Sequence, residues 1–267
     1  MQRKPSVAGQ FYPGQEHALR RMVEDFTRGD VAPQSAIGIL SPHAGYIYSG
    51  AIAGETFARV EVPGKVVLLG PNHHGIGHPA AVYAQGSWLT PLGEIAVDAE
   101  LAAAILAACP GMAADSAAHR LEHSLEVQLP FIQVRSPQAA IVPICLGGLP
   151  LADLLAIGEG LGRLLASRAE KILLVASSDM SHYLSGDVAR EKDGRALAPL
   201  LAVDPAALYR IVSDERISMC GMMPAVVMLA AARFVGASRA ELVRYGNSGE
   251  VTGDQSQVVG YAGAIVY

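Results

Sequence analysis

Histidines follow two apolar runs of the chain, at the positions where each run would end as a strand. His43 follows the run 37–41, and His73 and His74 follow the run 65–70. In open α/β sheets, ligands bind beyond the carboxyl ends of the strands. Imidazole is a common ligand of transition metals and a common general base, so these turns predict a metal site or an acid–base site. Adjacent side chains of an extended backbone point to opposite sides, and we expect His73 to be the one that reaches the pocket.

A third apolar run, 171–177, is followed by Asp179 and, three residues later, by His182. A single turn can bring these two side chains to the same side, where the carboxylate would orient a general acid or base. A helix cap at Ser178 or Asp179 is a second interpretation, and it is compatible with the first. We expect the ends of all three runs to face one pocket.

The segment 119–130 carries acidic and imidazole side chains at helical spacing. Its leucines recur every four residues, which predicts a helix whose polar face holds Glu122, His123 and Glu126. A solvated helix face is the common explanation for such glutamates. An acid beside an imidazole could instead orient a metal ligand or transfer protons, so Glu122 and His123 are candidate site residues.

Two histidines leave a third ligand to be found, because most such metal sites add a carboxylate or a thiolate. Cys220 lies just before a predicted helix, where the helix dipole and a nearby metal lower the pKa of a thiol. It could serve as a ligand or as a nucleophile, whereas a small buried apolar residue is the usual role of a free cysteine. The side chains considered for the third ligand are Asp179, Glu122, His182 and Cys220.

Composition and charge exclude several classes of protein. The 267 residues are 51% hydrophobic and carry a net charge of -5, without the clustered lysine and arginine that nucleic-acid binding needs. The longest apolar stretch, 222–232, is too short to span a bilayer, and the first residues lack the apolar core of a signal peptide. Three cysteines without a CxxC pair favour a reducing compartment. We expect a cytoplasmic protein that binds a small molecule or a peptide, and neither a nucleic acid nor a membrane.

The elements that position these residues alternate along the chain without a linker or a repeat, which favours a single domain over residues 1–267. Strands rich in valine, isoleucine and leucine are predicted at 36–41, 65–70, 139–145, 171–177, 240–245 and 257–266. Helices are predicted at 15–28, 50–60, 98–108, 121–133, 151–168, 187–201, 204–213 and 222–234. This pattern is typical of an α/β fold, a three-layer α/β/α sandwich around a mixed, largely parallel sheet, with a hairpin between Tyr245 and Tyr267.

An ordered set of short segments extends these observations over nearly the whole chain. The segments are Val7-Ala-Gly-Gln-Phe-Tyr-Pro13, Pro42-His-Ala-Gly-Tyr-Ile-Tyr-Ser-Gly50, Gly70-Pro-Asn-His-His74, Thr90-Pro-Leu-Gly-Glu94, Glu122-His-Ser-Leu-Glu126, Ser177-Ser-Asp-Met-Ser-His182, Cys220-Gly221 and Gly260-Tyr-Ala262. Together they resemble the Memo family (mediator of cell motility), whose prokaryotic members are called AmmeMemoRadiSam system protein B. The resemblance covers residues from about 2 to 266.

The resemblance implies a fold similar to the LigB-type class III extradiol dioxygenases. Those enzymes hold non-haem Fe(II) with two histidines and one glutamate. His43 and His73 match the two histidines, and Cys220 stands at the carboxylate position in the Memo family. Replacing a hard carboxylate by a soft thiolate favours copper or a redox-active iron over ordinary ring cleavage.

The resemblance also implies roles for the remaining candidates. His182 is similar to the catalytic base of the dioxygenases, with Asp179 beside it, and Glu122 and His123 resemble further pocket residues of the Memo family. Prokaryotic relatives occur with a radical-SAM protein and an AMMECR1-like protein. We therefore expect a metal-dependent, dioxygenase-like oxidoreductase with Fe(II) or Cu. The alternative is a non-catalytic module that binds a peptide or a partner of the radical-SAM system in the same cleft.

Overall fold

The computed structural model describes residues 1–29 and 31–267. The strands are β1 (Gln2–Arg3), β2 (Gly38–Ser41), β3 (Lys65–Pro71), β4 (Ala80–Val82), β5 (Ser87–Thr90), β6 (Gly93–Ala96), β7 (Ala113–Ala114), β8 (Ala140–Leu146), β9 (Leu173–Ser177), β10 (His182–Leu184), β11 (Ala240–Asn247) and β12 (Val258–Val266). The helices are α1 (Glu16–Phe26), α2 (Tyr46–Ala58), α3 (Ala99–Ala108), α4 (Leu129–Arg135), α5 (Leu151–Ala166), α6 (Gly186–Leu201), α7 (Pro205–Asp214), α8 (Met222–Phe234) and α9 (Gly249–Thr252), with a 3-10 turn at Glu126–Gln128 before α4.

Four neighbouring strands form the parallel centre of the main sheet, in the order β2, β9, β3 and β8. Their apolar runs are buried on both faces, as parallel strands between two helical layers must be. Val67 and Leu69 belong to an apolar core that includes side chains of α3 and α5 to α8, whereas Val66 and Leu68 belong to a second core that includes side chains of α1, α2 and α4. The predicted three-layer sandwich is confirmed, and the strands' carboxyl ends lie side by side.

Antiparallel strands extend this centre at both sides, so the sheet is mixed. β12 pairs antiparallel with β2, β10 and β11, and β4 pairs antiparallel with β8. The predicted hairpin is confirmed as β11 and β12, joined through α9. The sequence did not predict the short strands β4, β7 and β10, nor the small separate sheet of β1, β5 and β6.

The predicted helix over 121–133 is wrong in its first half. Residues 119–125 form an irregular loop, and regular helix begins only at Leu129. Pro130 supplies no backbone N–H, so it fits the first turn of α4 and would interrupt a longer helix. Glu122 and Glu126 are therefore not on a solvated helix face. Both side chains are fully buried.

No helix within the described part of the chain is both long enough and apolar enough to cross a bilayer.

Candidate metal centre

Three loops at the carboxyl ends of adjacent parallel strands bring the predicted site residues together. His43 follows β2, His73 follows β3 and Asp179 follows β9. The loop 119–125 adds His123, whose ring centroid lies 4.7 Å from that of His73 and 5.5 Å from that of His43. The register of parallel strands, set by their buried apolar runs, is thus what gathers side chains that are distant in sequence.

The three histidines form a group that could hold a metal ion. Potential ligand atoms of His43, His73 and His123 all lie within 4.8 Å of one another. Among the described residues, no second group of three such side chains is equally close. His123 therefore lies in the potential ligand shell itself, whereas the sequence placed it only among the pocket residues.

Cys220 lies against the same group. Its Sγ is 3.2 Å from His43 Nε2, and the backbone N–H of Asp179 donates to the sulfur at 3.2 Å. Bonds of about 2.0 Å to nitrogen and 2.3 Å to sulfur at a tetrahedral ion would separate the two ligand atoms by about 3.5 Å. The observed separation is close to that value. The role of Cys220 as a ligand stays a prediction.

Gly221 allows Cys220 to come this close to the end of β9. A Cβ atom at this position would overlap the Ser177 carbonyl oxygen and Ser178 Cβ. Any larger residue would push the loop away from the strand end, so the glycine fixes where the thiol sits.

Glu122 holds His73 in place. Its carboxylate accepts hydrogen bonds from His73 Nδ1 at 2.8 Å, from the His73 backbone N–H at 2.8 Å and from the Ser124 N–H at 3.0 Å. Burial alone would raise the pKa of the Glu122 carboxyl, but the bond and charge of His73 and these N–H groups hold it well below its usual range. An ionised carboxylate only accepts hydrogen bonds, so His73 carries a proton on Nδ1, and Nε2 is the ring nitrogen that Glu122 does not bind.

Asp179 orients the loop that carries His43. Its Oδ1 accepts the His43 backbone N–H at 2.8 Å, and its Oδ2 lies 3.9 Å from His43 Nε2. Burial raises the pKa of Asp179, against the lowering effect of the His43 and Ala44 N–H groups. The predicted helix cap at Ser178 or Asp179 is wrong, because β10 and not a helix follows this loop.

His182 and His74 lie outside the close cluster. His182 is partly exposed, and its ring Nδ1 contacts the Ser218 carbonyl oxygen at 2.9 Å. It is near enough to affect the pKa of both His43 and Asp179. His74 turns away from the cluster, although residues 73–74 form a turn and not the extended backbone on which that expectation rested, and its Nε2 contacts the Leu121 carbonyl oxygen at 3.1 Å.

The electrostatics favour neutral imidazoles at His43 and His123 and a protonated thiol at Cys220. Burial, and then the charge of His73, lowers the pKa of His43 to about 3. Burial and then His43 lower the pKa of His123 to about 4. Burial and Asp179 raise the pKa of the Cys220 thiol, so the expected lowering by the helix dipole is wrong and Cys220 is not an activated nucleophile in the metal-free protein.

Comparison with known proteins gives the family. The family model described as "Memo-like protein" matches residues 3–265. The chain belongs to the Memo-like family. A MEMO1 family protein of Methanopyrus kandleri is 40% identical, with 100% of this chain and 99% of that protein covered. One from Aquifex aeolicus is 43% identical, with 98% of each covered.

A solved structure shows the same fold at lower sequence similarity. The crystal structure of an uncharacterized protein from Escherichia coli K12 superposes on this Memo-like protein with a TM-score of 0.60 and 14% identity, covering 85% of this chain and 98% of that one. This likeness shows the fold alone. The relation to ring-cleaving dioxygenases stays a prediction from the resemblance of the motifs.

Arg3 is a residue of the Memo-like site that the sequence reasoning missed. Its guanidinium donates to the carbonyl oxygens of His119 at 2.6 Å and Glu122 at 2.7 Å and to the Glu126 carboxylate at 2.6 Å. It also lies 4.0 Å above the Trp88 ring. These bonds hold the irregular loop that carries Glu122. A lone arginine near the start of the chain gives no local signal for contacts made more than a hundred residues away.

Phe11 is a second residue that was missed. Its ring packs against the His123 ring with centroids 4.9 Å apart, and its carbonyl oxygen accepts the Tyr46 N–H at 2.7 Å. It therefore forms an apolar wall beside the histidines. Such a wall limits how far His123 can turn, and it presents an apolar surface to whatever enters the cleft.

Proposed function

We propose that this Memo-like protein binds one Fe or Cu ion between His43, His73 and Cys220 and acts as a redox-active, oxidoreductase-like protein. The observation that carries the proposal is the convergence of donor atoms at the strand ends. His43 Nε2 faces Cys220 Sγ at 3.2 Å, and His73 has its Nδ1 proton bound by Glu122 at 2.8 Å. Both features belong to histidines prepared for a metal.

The donor set decides which ions fit. Two imidazoles with a thiolate suit Cu or a redox-active Fe better than the hard ions Mg²⁺ or Ca²⁺. His123 and Asp179 border the same space and could complete the coordination or supply the third ligand in place of Cys220. Once bound, such an ion would supply one-electron chemistry and an open position for a substrate.

The surrounding residues have separate roles in this proposal. Glu122 orients His73, and Asp179 orients the His43 loop through the backbone. His182, which is partly exposed, would exchange protons between the cleft and solvent. The apolar wall of Phe11 would exclude water from one side of the ion.

The test is metal content after purification without oxygen. Wild type and His74→Ala should each retain about one Fe or Cu per chain, whereas His43→Ala should retain almost none. His74 is the matched control because it adjoins His73 but turns away from the cluster. Bound metal should also be reduced and reoxidised reversibly, followed by electron paramagnetic resonance. Equal metal content in all three proteins, or an ion that cannot be cycled, would count against the proposal.

A specific feature favours a second candidate function, binding of a peptide or a partner protein. Apolar side chains next to site residues are exposed to solvent: Tyr183 by 73%, Ile47 by 65% and Leu121 by 48%. They adjoin His182, the His43 loop and Glu122 in sequence. A radical-SAM protein or an AMMECR1-like protein could cover this surface, and the protein would then be a non-catalytic module of that system.

Pull-down separates the two functions. A His43→Ala/Cys220→Ser double variant that captures the radical-SAM or AMMECR1-like partner as well as wild type does would favour the binding module. Loss of capture on Tyr183→Ser, with metal content unchanged, would place the partner on the exposed apolar residues.

A further inference from the structure

The Ser177 hydroxyl lies at the junction of three buried groups. Its Oγ is 2.7 Å from the Ser124 carbonyl oxygen, 2.9 Å from Gln128 Nε2 and 2.9 Å from His43 Nδ1. Ser177, Ser124 and Gln128 are fully buried, and His43 is nearly so. Each hydrogen bond here must therefore be made within the protein.

The donors and acceptors at this junction can be assigned by elimination. A carbonyl oxygen only accepts hydrogen bonds, so the Ser177 hydroxyl donates its proton to the Ser124 carbonyl oxygen. Gln128 Nε2 also contacts the Pro42 carbonyl oxygen at 3.0 Å, and Gln128 Oε1 accepts from Ser41 Oγ at 2.8 Å. This fixes the amide orientation, so Nε2 donates to Ser177. The Ser177 hydroxyl has no second proton to donate, so in its remaining contact its oxygen accepts a hydrogen bond from His43 Nδ1.

The backbone of Ser124 connects this junction to His73. Its N–H donates to Glu122 Oε1 at 3.0 Å, and the same oxygen accepts from His73 Nδ1 at 2.8 Å. The Nδ1 atoms of His43 and His73 are thus the two ends of one hydrogen-bonded chain through Ser177, Ser124 and Glu122.

We infer that Ser177 is a positioning residue that fixes the tautomer of His43 by holding its proton on Nδ1, as Glu122 holds the Nδ1 proton of His73, so that His43 presents an unprotonated Nε2 to the centre of the cluster. The consequence for metal binding rests on the proposed function. The tautomer itself does not, because it is a property of the metal-free protein. Without an acceptor at Ser177, the His43 proton can move to Nε2, where it would face Cys220 Sγ and block a metal bond.

Ser41 is a matched control for Ser177. The two serines are register partners on the adjacent parallel strands β2 and β9, both are fully buried and both bind the Gln128 side chain. Only Ser177 reaches His43. Ser177→Ala and Ser41→Ala therefore each remove a buried hydroxyl that binds Gln128, and Ser177→Ala removes in addition the contacts with His43 Nδ1 and the Ser124 carbonyl oxygen.

The experiment is nitrogen NMR of metal-free protein labelled at histidine, with the His43 signals assigned from a His43→Gln variant. Wild type and Ser41→Ala should show His43 protonated at Nδ1 and unprotonated at Nε2. Ser177→Ala should shift His43 toward the Nε2-protonated form and weaken Cu(I) binding by about 10–100-fold, the usual loss for an outer partner of a ligand. Ser41→Ala should bind Cu(I) as wild type does.

Two results would overturn the inference. One is a wild-type His43 protonated at Nε2, a measurement that holds even if Ser177→Ala does not fold. The other is equal behaviour of the Ser177→Ala and Ser41→Ala variants. A wild-type protein with the expected tautomer and no affinity for Cu or Fe would support the inference while refuting the proposed function.

Discussion

The described residues include two histidine–cysteine contacts, and they differ in what surrounds them. In the cleft, Cys220 Sγ lies 3.2 Å from His43 Nε2. In the core, Cys145 Sγ lies 3.4 Å from His119 Nδ1. The two distances are nearly equal, so the distance alone does not distinguish a site from a packed core.

In the core pair, both ring nitrogens of His119 and the sulfur of Cys145 have hydrogen-bond partners within the protein. His119 Nε2 contacts the Ala81 carbonyl oxygen at 3.2 Å, which requires a proton on Nε2 and leaves Nδ1 to accept the thiol proton. Tyr83 and Trp88 pack edge-on around the ring with centroids 5.6 Å and 5.8 Å away. No third ligand approaches among the described residues.

The cleft pair is arranged the opposite way. His43 Nδ1 donates to Ser177 Oγ, and His43 Nε2 faces the sulfur of Cys220. His73, His123 and Asp179 border the same space. The difference is that an unprotonated Nε2 and further donor side chains converge at the cleft pair, which is what the proposed metal site requires, whereas the core pair lacks both. The core pair thus supplies matched controls for the cleft pair.

The largest expected effect is loss of metal on removing a cleft histidine. His43→Ala or His73→Ala should weaken Cu or Fe binding by more than about 100-fold, since a ligand outweighs its outer partners. His119→Ala should bind metal normally but lose about 3 kcal/mol of stability through the cavity and the unpaired Ala81 carbonyl. Metal titration with chemical denaturation checks both, and a metal defect in His119→Ala would break the comparison.

The next effect concerns the two thiols. Cys220→Ser should cut Cu(I) affinity by about 100-fold or more while leaving weak Mg²⁺ binding unchanged, because soft sulfur selects soft metals. Cys145→Ser should leave Cu(I) affinity unchanged and cost about 1–3 kcal/mol for the buried hydroxyl. Anaerobic competition titrations decide this. Unchanged Cu(I) affinity in Cys220→Ser would make Asp179 the next ligand to test.

A smaller effect is proton release on metal binding. Because burial and Asp179 raise the pKa of the Cys220 thiol, an ion that binds sulfur must displace about one proton, and affinity should rise about tenfold per pH unit above pH 6.5. His43 and His123, whose pKa values are lowered by burial, release none in that range. Calorimetry in buffers of different ionisation enthalpy measures the release, which should vanish in Cys220→Ser. No release from wild type would favour His123 as the third ligand.

An effect of similar size per pH unit appears in acid, in the metal-free protein. Burial lowers the pKa of His119 to about 4. Between about pH 6.5 and pH 4, His119 therefore binds a proton in the unfolded chain but not in the folded protein. Stability is therefore full above about pH 6.5 and falls as the pH drops toward 4, by up to about 1.4 kcal/mol per pH unit for each such histidine. Denaturation between pH 4 and 7 should show a shallower slope for His119→Gln than for wild type, and an identical slope would contradict the assignment.

The sequence predicted the parts of the fold that repeat a local pattern. The runs that became β2, β3, β8 and β9 were found because buried parallel strands are continuously apolar, and the turns after them carry His43 and His73. Strands of two to four residues, such as β4 and β7, carry too little pattern to be recognised.

The rest of the site depends on contacts between distant residues. Glu122 is buried because His73 and Arg3 reach it from other parts of the chain, and those bonds replace the helix that the leucine spacing predicts. His123 enters the ligand shell through the same irregular loop. Pairing of Ser177 with His43 likewise needs the strand register, which the sequence does not display.

An anomalous difference map at the Fe and Cu edges, from crystals of protein purified without oxygen, tests the central claim most directly. The predicted result is a single peak about 2.0–2.1 Å from Nε2 of His43 and His73 and about 2.3 Å from Cys220 Sγ. A peak bonded to the three histidines with the sulfur out of reach would contradict the assignment of Cys220. A peak at the His119–Cys145 pair, or none at either pair, would contradict the metal centre itself.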